Sequence, residues 1–482
     1  MLFPRLAERA DVEAVRFGDR ALSYAELATI TGELAATLGD TGGPVAVLAE
    51  PRLETAVAVL AALRAGVPAV PVNPASGSRE LEHILRDSAV TQLLCASDTA
   101  VPEPLGDLVR VDVGATAGTG TVRREPAEPP SDAPALIVYT SGTTGAPKGV
   151  VLPRAAVRST LDALADAWHW DAEDVVLHGL PLFHVHGLIL GVLGPLRRGG
   201  TVHHLGRFTP DALGDALRAW QGNRPVVVFG VPTNYTRLAD AAESDPGLAR
   251  AIGTARLLVS GSAALPEREH HRLTRLTGHH VIERYGMTET LMNTSVRVDG
   301  PHRPGTVGVP LDGVALRIVD EYGEPIDARD GNTIGEIQVR GPNLFTEYLH
   351  RPEATAEAFD REWFRTGDMA TVDGDGYVRI VGRKATDLIK SGGYKIGAGE
   401  IENALGEHPG VAEAAVTGEP DADLGERIVA WVVPAGECPG AEELSNHVAG
   451  ILAPHKRPRE VRFLDALPRN DLGKVTKRAL GT

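Results

Sequence analysis

Short apolar runs alternate with amphipathic segments along about the first 380 residues of the chain. The runs 44–49, 68–72 and 92–96 have the length and composition of buried strands, as does 225–230, whereas 55–65 has the spacing of a helix. Strands that alternate with helices in this way favour a parallel sheet with helices packed on its faces. The pattern therefore predicts an α/β fold built from mixed βα layers.

The pattern changes from about residue 306. The runs 315–319, 334–340 and 377–381 are short and strand-like, and turns rich in Gly and Asp separate them. This texture predicts a β-rich subdomain rather than further βα units. A mixed α/β pattern resumes after Gly382. We therefore predict a large N-terminal domain, 1–382, and a small α/β C-terminal domain, 383–482.

Composition narrows the class of protein. A chain of 482 residues is too long for one ordinary core, which agrees with more than one domain. The net charge of −16 argues against a nucleic-acid partner. The only two cysteines, Cys95 and Cys438, lie far apart, which is typical of a reducing compartment. The N-terminus does not resemble a signal peptide and no apolar run is long enough to span a bilayer, so we expect a cytoplasmic protein with no membrane partner.

A strand candidate at 133–139 leads into a segment rich in Ser, Thr and Gly, which ends in Pro147-Lys148-Gly149. Glycines allow a backbone to approach an anion, hydroxyl and N–H groups donate to phosphate oxygens, and Lys148 adds positive charge. It is not a Walker A loop, because Gly149 follows the lysine where that motif has Ser or Thr. The predicted phosphate-binding residues are Thr140, Ser141, Gly142, Thr143, Thr144, Gly145 and Lys148.

This segment closely resembles the phosphate-binding signature of the superfamily of acyl-CoA synthetases, adenylation domains and luciferases. The resemblance continues, in order, through Tyr285-Gly286-Met287-Thr288-Glu289-Thr290, Gly335-Glu336-Ile337, Trp363-Phe364-Arg365-Thr366-Gly367-Asp368, residues 382–390, Gly399-Glu400-Ile401-Glu402 and residues 468–474. An ordered series of this kind is highly specific. It implies an ATP-dependent enzyme that activates a carboxylic acid as an acyl-adenylate and transfers the acyl group to coenzyme A.

The resemblance implies roles for the first half-reaction, with ATP and Mg²⁺ as requirements. Lys474 matches the lysine that bridges the carboxylate and the phosphate, while Thr144 and Glu289 match the catalytic and metal-binding residues. Asp368 and Arg383 match the ribose contacts, and Tyr285 matches the residue beside adenine. The further expected nucleotide contacts are Ser262, Glu283, Arg284, Gly286, Met287, Thr288 and Lys474 itself.

The second half-reaction needs a path for the thiol of coenzyme A. The resemblance implies a mobile C-terminal domain that rotates about a hinge residue, which is Lys384 here. The residues expected to contact coenzyme A are His184, Lys390, Ser391, Gly392 and Gly393. In 396–400 two small residues stand where relatives often have Ser and Pro, which leaves the geometry of that loop open.

The identity of the acid rests on two arginines. Arg237 and Arg284 fall in segments that match the acyl pocket, and a buried guanidinium is costly unless an acidic group pairs with it. A substrate with a second carboxylate would supply that group, and we predict Arg237 as its direct partner and Arg284 as a second contact. The alternative is that local acids, Glu283 or Asp240, neutralise these arginines.

The segments 183–187, 231–238 and 283–290 together resemble those of malonyl-CoA and methylmalonyl-CoA synthetases. The segment 181–187 also lacks the Asp that amino-acid adenylation domains usually carry. The product of such an enzyme could supply polyketide or fatty-acid synthesis. The predicted acid-binding residues are His186, Arg237, Ser260, Arg284, Met287 and Met292.

Several alternatives stay open from the sequence. The chain could activate another short or aryl acid, load the thiol of a carrier protein, or bind nucleotide without catalysis. His184 and His186 could belong to a metal site, although no third ligand of suitable type is near them in the sequence. The choice between malonate and methylmalonate is also open, because one methyl group changes binding by only about 1–3 kcal/mol.

Overall fold

A computed structural model describes residues 1–6, 8, 11–38, 42–114, 128–140, 146–384, 387–469 and 475–481, without the side chain of Lys395. The chain forms three sheets before Lys384 and a fourth after it. This arrangement confirms the predicted α/β fold with a β-rich subdomain. None of the described helices has both the length and the apolar character needed to cross a membrane.

The elements have the following bounds. Up to residue 168 they are β1 Glu13–Phe17, β2 Arg20–Ser23, α1 Tyr24–Leu38, β3 Val45–Leu48, α2 Leu53–Ala65, β4 Ala69–Val72, α3 Ser78–Ser88, β5 Gln92–Cys95, β6 Val109–Asp112, β7 Pro134–Thr140, β8 Lys148–Pro153 and α4 Arg154–Trp168. They continue as β9 Val175–His178, a π-helical segment His186–Leu193, α5 Gly194–Arg198, β10 Thr201–His204, α6 Pro210–Trp220, β11 Val226–Gly230, α7 Pro232–Ser244, α8 Pro246–Ile252, β12 Leu257–Ser260, α9 Glu267–Thr277, β13 Val281–Met287, β14 Leu291–Ser295 and β15 Val309–Pro310.

The remaining elements are β16 Ala315–Val319, β17 Gly335–Arg340, β18 Glu347–Tyr348, α10 Pro352–Glu357, β19 Phe359–Asp360, β20 Trp363–Val372, β21 Val378–Arg383, β22 Leu388–Ser391, β23 Tyr394–Gly397, α11 Ala398–Gly406, β24 Val411–Asp421, β25 Gly425–Pro434, α12 Ala441–Ile451 and β26 Glu460–Phe463. The runs predicted as strands correspond to β3, β4, β5, β7, β11, β16, β17 and β21, and the predicted helix corresponds to α2.

The largest sheet has nine strands in the order β15-β14-β13-β12-β11-β9-β10-β1-β2. Its centre, from β10 to β13, is parallel, and β14 and β15 extend it in the antiparallel sense. The central strand β11, Val-Val-Val-Phe-Gly, is buried over its whole length, as expected for a strand with helices on both faces. The carboxyl ends of β11 and β12 therefore lie at one edge of the sheet beside Glu283 of β13, which continues beyond them to Met287.

The second sheet has seven strands in the order β18-β8-β7-β4-β3-β5-β6. Strands β7 and β8 are antiparallel neighbours, and Thr140 lies opposite Lys148 where they meet. The predicted phosphate segment therefore connects two adjacent strands. The β-rich subdomain is a five-stranded antiparallel sheet in which β21 pairs with β20 and places Arg383 opposite Asp368.

The part of the chain after Lys384 has its own sheet, β23-β22-β25-β24 with β26 beside β25. Its apolar core contains Ile389, Ile401, Val416, Ile428 and Leu444, and it is separate from the core of the larger sheets. A separate core is what a small folding unit needs. The boundary at residues 382 and 383 stays a prediction.

Buried histidines lie within the nine-stranded sheet. His204 stacks on Phe17 at 4.9 Å and meets the ring of His178 edge to face at 4.6 Å. The Gly206 N–H donates to Nδ1 of His204, so the proton lies on Nε2, which donates to the Leu180 carbonyl. Burial lowers the pKa of His203 and of His204 to about 4, and that of His178 well below 6.5. These imidazoles are neutral in the folded protein.

We expect acid to destabilise the fold through these histidines. Their pKa is lower in the folded state than in the unfolded state, so stability is complete above about pH 6.5 and falls as the pH drops towards 4. Each such histidine contributes a slope of up to about 1.4 kcal/mol per pH unit in that window. The free energy of unfolding, measured by denaturant titration from pH 7.5 to 5, gives the total slope.

The matched pair for this experiment is His203→Gln and His271→Gln. A glutamine at 203 can still accept the hydrogen bond that Trp220 Nε1 donates to His203 Nδ1 over 2.9 Å, but it does not titrate. The charge of Arg16 also lowers the pKa of His203, whereas the charge of Glu13 raises it. His203→Gln leaves both of these neighbours in place and removes only the titrating imidazole. His271 is exposed on α9. If the free energy of unfolding of His203→Gln depended on pH as steeply as that of wild type, a contribution of His203 to the acid sensitivity would be contradicted.

Candidate active site

The register of the central strands brings the predicted acid-binding segments together. Gly230 pairs with Ser260, and Ser260 pairs with Glu283, so the residues that follow each of them meet at the same edge of the sheet. These residues are Val231, Gly261 and Arg284. Ligands in α/β proteins commonly bind at the carboxyl ends of parallel strands. This edge is therefore the candidate site for the acid.

Arg284 is a buried cation, with 4% of its surface exposed. Its Nε and Nη2 atoms have no hydrogen-bond partner, and no carboxylate in the described part of the chain pairs with it. Burial lowers the pKa of this guanidinium to about 10. A buried guanidinium without an acidic neighbour is destabilising in itself and favours the binding of an anion.

Other polar groups without partners lie near this arginine. His186 is 4% exposed with an unpartnered Nε2, and its Nδ1 lies 3.5 Å from the Ser262 hydroxyl. Burial first, and then the charge of Arg284, hold the pKa of His186 well below its usual value. The hydroxyl of Ser260 is also buried without a partner, but Ser260 pairs with Glu283 and therefore lies on the face that packs against α9. The cluster therefore offers the neutral imidazole of His186 beside one positive charge.

Gly261 makes room for the arginine. A Cβ atom at this position would overlap Cζ, Nη1 and Nε of Arg284, so any larger residue would displace the guanidinium. Tyr235 is buried on the other side of β12 and donates its hydroxyl to the Val259 carbonyl over 2.9 Å. The nearby phenol slightly raises the pKa of Arg284, against the larger effect of burial.

The predicted order of the two arginines is not supported by their placement. Arg237 is exposed on α7, whose buried face is formed by Asn234, Tyr235, Leu238, Ala239 and Ala242. The helical spacing of these residues in the sequence already placed Arg237 on another face. Arg237 therefore does not lie in the buried part of the cluster, and Arg284 is the stronger candidate for the direct contact.

The local acids do not neutralise either arginine. Asp240 pairs with Arg272 at 2.7 Å. Glu283, which we predicted to contact nucleotide, accepts hydrogen bonds from His270 at 2.9 Å and from the Leu265 N–H at 3.0 Å. Successive side chains of β13 point to opposite faces, so Glu283 faces α9 while Arg284 faces the cluster. Glu283 therefore holds the loop before α9.

A second group of predicted residues forms a hydrogen-bonded unit. Asp368 is 5% exposed, accepts a hydrogen bond from the Tyr285 hydroxyl at 2.6 Å, and pairs with Arg383 Nε at 2.7 Å. Burial, and then the nearby carboxylate, raise the pKa of Tyr285 far above its usual value. Strand pairing of β20 with β21 sets this geometry. The unit can present a carboxylate and a cation to a sugar or a phosphate.

Glu289 lies in a third group. It is 7% exposed and accepts a hydrogen bond from the Tyr348 hydroxyl at 2.9 Å, and Lys148 lies 4.7 Å above the ring of Tyr348. Burial raises the pKa of this carboxyl. A divalent cation would stabilise its charged form, and carboxylate oxygen is the donor that Mg²⁺ prefers. Glu289 can thus supply one carboxylate ligand to a magnesium ion, and Thr144, the other predicted ligand, lies outside the described residues.

Several predicted residues lie outside the described part of the chain, namely Ser141, Gly142, Thr143, Thr144, Gly145 and Lys474. Thr140 ends β7 beside this segment. Gly286, Met287, Thr288 and Met292 lie in the β13–β14 hairpin that carries Arg284 and Tyr285, and Met292 is fully buried.

The residues predicted to contact coenzyme A fall in two segments of the chain. Lys390 and Ser391 end β22, and Gly392 and Gly393 form the turn to β23 with φ of 58° and 82°, which glycine adopts readily. Both glycines are exposed. His184 lies before the π-helical segment, where burial lowers its pKa to about 4. The predicted hinge, Lys384, pairs with Glu336 at 2.7 Å.

Comparison with known proteins decides the family. The AMP-binding enzyme model matches residues 2–349, and the model of the C-terminal domain of AMP-binding enzymes matches residues 400–474. The chain belongs to the AMP-binding enzyme family. It is an ATP-dependent, AMP-forming ligase that joins an acid to coenzyme A, as its motifs predicted.

Individual relatives of this family give a finer comparison. A malonate–CoA ligase of Arabidopsis thaliana is 37% identical over 91% of this chain and 78% of its own. A solved malonyl-CoA ligase with methylmalonyl-CoA and AMP bound is 62% identical, covers 97% of this chain and 100% of its own, and has a TM-score of 0.75. The ATP-bound MatB of Rhodopseudomonas palustris is 36% identical, covers 99% of this chain and 97% of its own, and has a TM-score of 0.89.

Two groups in this AMP-binding enzyme were not identified from the sequence. Tyr348, which contacts Glu289 and Lys148, lies outside the family motifs, and only the pairing of β18 with β8 brings it to the site. Gly261 stands between two serines, and nothing in its immediate sequence indicates the contact with Arg284.

The sequence left open a metal site at His184 and His186. Among the described residues, no group of three or more potential metal ligands occurs.

Gly261→Ala tests the packing around Arg284. The added methyl group must displace the guanidinium or the loop, and we expect a loss of about 1–3 kcal/mol in the free energy of unfolding. The control is Gly450→Ala, because Gly450 lies in α12 and a Cβ atom added there would meet nothing within 4 Å. Denaturant titration gives the free energy of unfolding of both variants. If Gly261→Ala were as stable as Gly450→Ala, the close contact between Gly261 and Arg284 would be contradicted.

Proposed function

We propose that this protein joins malonate or methylmalonate to coenzyme A. The observation that carries the proposal is the buried guanidinium of Arg284, which lacks a partner at the edge of the sheet. A dicarboxylic acid brings the missing negative charge as its distal carboxylate, whereas a monocarboxylic acid leaves the arginine unpaired. The malonate–CoA ligases among the relatives support the same choice.

In the first half-reaction, the distal carboxylate of the acid pairs with Arg284, and His186 offers it a further hydrogen bond. The other carboxylate attacks the α-phosphate of ATP; the new O–P bond forms as the bond to pyrophosphate breaks, giving an acyl-adenylate. Two anions meet in this step, so positive charge is required between them. We assign that charge to Lys474, with Lys148 nearer the leaving phosphates.

The nucleotide is held by the second and third groups. Asp368 accepts hydrogen bonds from the ribose hydroxyls, Arg383 flanks it, and Tyr285 lies beside the base. Glu289 and Thr144 would hold Mg²⁺, which neutralises phosphate charge when bound. The other phosphate contacts are the backbone and hydroxyl groups of residues 140–145.

In the second half-reaction, the thiol of coenzyme A attacks the acyl carbonyl, the thioester bond forms, and AMP leaves. We assign the thiol path to His184 and the turn of Lys390, Ser391, Gly392 and Gly393. One surface cannot serve both steps, so we propose that residues 383–482 move as a domain about Lys384. We also place the enzyme in the cytoplasm, where its product could supply polyketide or fatty-acid synthesis.

Arg284→Gln should remove the preference for a dicarboxylic acid. The distal carboxylate would then be buried without its partner, and we expect kcat/KM for malonate to fall about a hundredfold or more. The value for acetate should change much less, so the ratio of malonate to acetate should collapse. Steady-state kinetics with both acids gives this ratio.

The matched control is Arg237→Gln, which removes an exposed arginine from α7. We expect it to change the malonate-to-acetate ratio less than Arg284→Gln does. If Arg237→Gln had the larger effect, the assignment of the direct contact to Arg284 would be wrong. If neither variant changed the ratio, the case for a dicarboxylic acid from these residues would fail.

Lys474→Ala should separate the two half-reactions. Because its charge is needed only where carboxylate meets phosphate, we expect the variant to lose formation of the acyl-adenylate from acid and ATP. Formation of the thioester from supplied acyl-adenylate and coenzyme A should persist. Pyrophosphate release measures the first step and thioester absorbance the second. Equal loss of both steps would rule out this role.

A further inference from the structure

The first turn of α9 contacts the part of the chain that follows Lys384. Nη1 of Arg268 donates a hydrogen bond to the carbonyl of Gly406 at 2.6 Å and a longer one to the carbonyl of Val411 at 3.3 Å. Gly406 is the last residue of α11, and Val411 is the first residue of β24. One side chain from the N-terminal part thus holds two backbone groups of the C-terminal part.

Both carbonyls lack a regular backbone donor. The last carbonyls of a helix have no partner within the helix, and a cation there is favourable because of the helix dipole. Val411 is in β24, the edge strand of its sheet, and the neighbouring amide of Ala435 donates to the carbonyl of Gly410 rather than to that of Val411. Arg268 therefore supplies a donor at a point where the C-terminal part needs one.

Arg268 is also held in place from its own side. Its Nε atom lies 3.2 Å from Oε1 of Glu269, a carboxylate that is almost fully buried. The neighbouring Glu267 pairs with Arg379 of β21 at 2.8 Å, so the whole first turn of α9 is anchored. An anchored arginine loses less conformational entropy when it binds than a free surface arginine does. The contact is therefore able to favour one position of the C-terminal part.

The arrangement that contains this contact leaves the proposed coenzyme A turn in solvent. A Cβ atom added at Gly392 would meet only Leu424, and one at Gly393 would meet nothing within 4 Å. Tyr394, the next residue, is 53% exposed. A turn that lines a thiol path would be covered by the rest of the enzyme, so this is not the arrangement that delivers the thiol.

We infer that Arg268 is a positioning residue that stabilises the C-terminal part in the arrangement used for adenylation and releases it for thioester formation. The inference rests on the proposed function, because it assigns the two arrangements to the two half-reactions. It predicts that loss of the contact slows one half-reaction and not the other. A purely structural role for Arg268 would not separate them.

The test compares Arg268→Gln with Arg275→Gln, and wild type is measured beside both. Arg275 is on the same helix, is 69% exposed, and comes only within 3.8 Å of Glu243. Loss of a charge-assisted hydrogen bond should slow acyl-adenylate formation about tenfold in Arg268→Gln. Thioester formation from supplied acyl-adenylate and coenzyme A should be unchanged or faster. Arg275→Gln should leave both rates as in wild type.

A distance measurement provides a readout besides activity. Cys438 is exposed and Cys95 is buried, so a spin label can be placed on Cys438 and paired with a second label at Tyr322→Cys, an exposed position in the N-terminal part. The distribution of distances should shift or broaden in Arg268→Gln and not in Arg275→Gln. Unchanged distances with unchanged rates would overturn the inference, as would an equal loss of both half-reactions.

The proposed substrate can fail separately. If wild type forms no malonyl-CoA but converts another acid, the proposed substrate is wrong, and the two half-reactions are then measured with that other acid. We expect Arg268→Gln to slow acyl-adenylate formation and not thioester formation, whichever acid is used. The rates with the other acid therefore still decide the role of Arg268.

Discussion

The charge of Arg284 is the constraint on which the acid site depends. An unpaired guanidinium in a protein interior opposes folding, and the surrounding residues do not relieve that cost, because Glu283 is bound to His270 on the opposite face of β13. The cost is removed when an anion of the right size binds. In the proposed function, specificity for a dicarboxylic acid therefore follows from an interaction that the free protein leaves unmade.

The parallel register turns separate segments into one site. Gly230, Ser260 and Glu283 are neighbours across three strands although more than fifty residues separate the first from the last. Strands β11 and β12 end at this edge and β13 runs past it, so Val231, Gly261 and Arg284 follow the three paired residues. The proposed ribose contacts come from a different sheet, in which antiparallel pairing places Arg383 opposite Asp368. Tyr285 of β13 reaches across to Asp368, so the proposed nucleotide site combines residues of both sheets.

The strands that the sequence predicted are short apolar runs, which can be read directly, and the expected nucleotide contacts came from ordered motifs. The sequence favoured Arg237 over Arg284 as the direct contact, although Arg237 is exposed and Arg284 is buried, since burial depends on which face of α7 packs inward. It also missed Tyr348, which reaches Glu289 only through the pairing of β18 with β8. Motifs identify residue types, whereas partners depend on strand pairing.

The loop geometry that the sequence left open has a packing explanation. A Cβ atom at Gly397 would overlap the side chain of Val381 on β21, and Gly399 lies against the carbonyl of the same residue. The backbone at 397–399 can therefore approach β21 more closely than a chain with larger side chains could. Since Lys384 lies between these two segments, the small residues allow α11 to begin beside the proposed hinge. Arg268 then contacts the other end of α11, so both ends of this helix are held by residues of the N-terminal part.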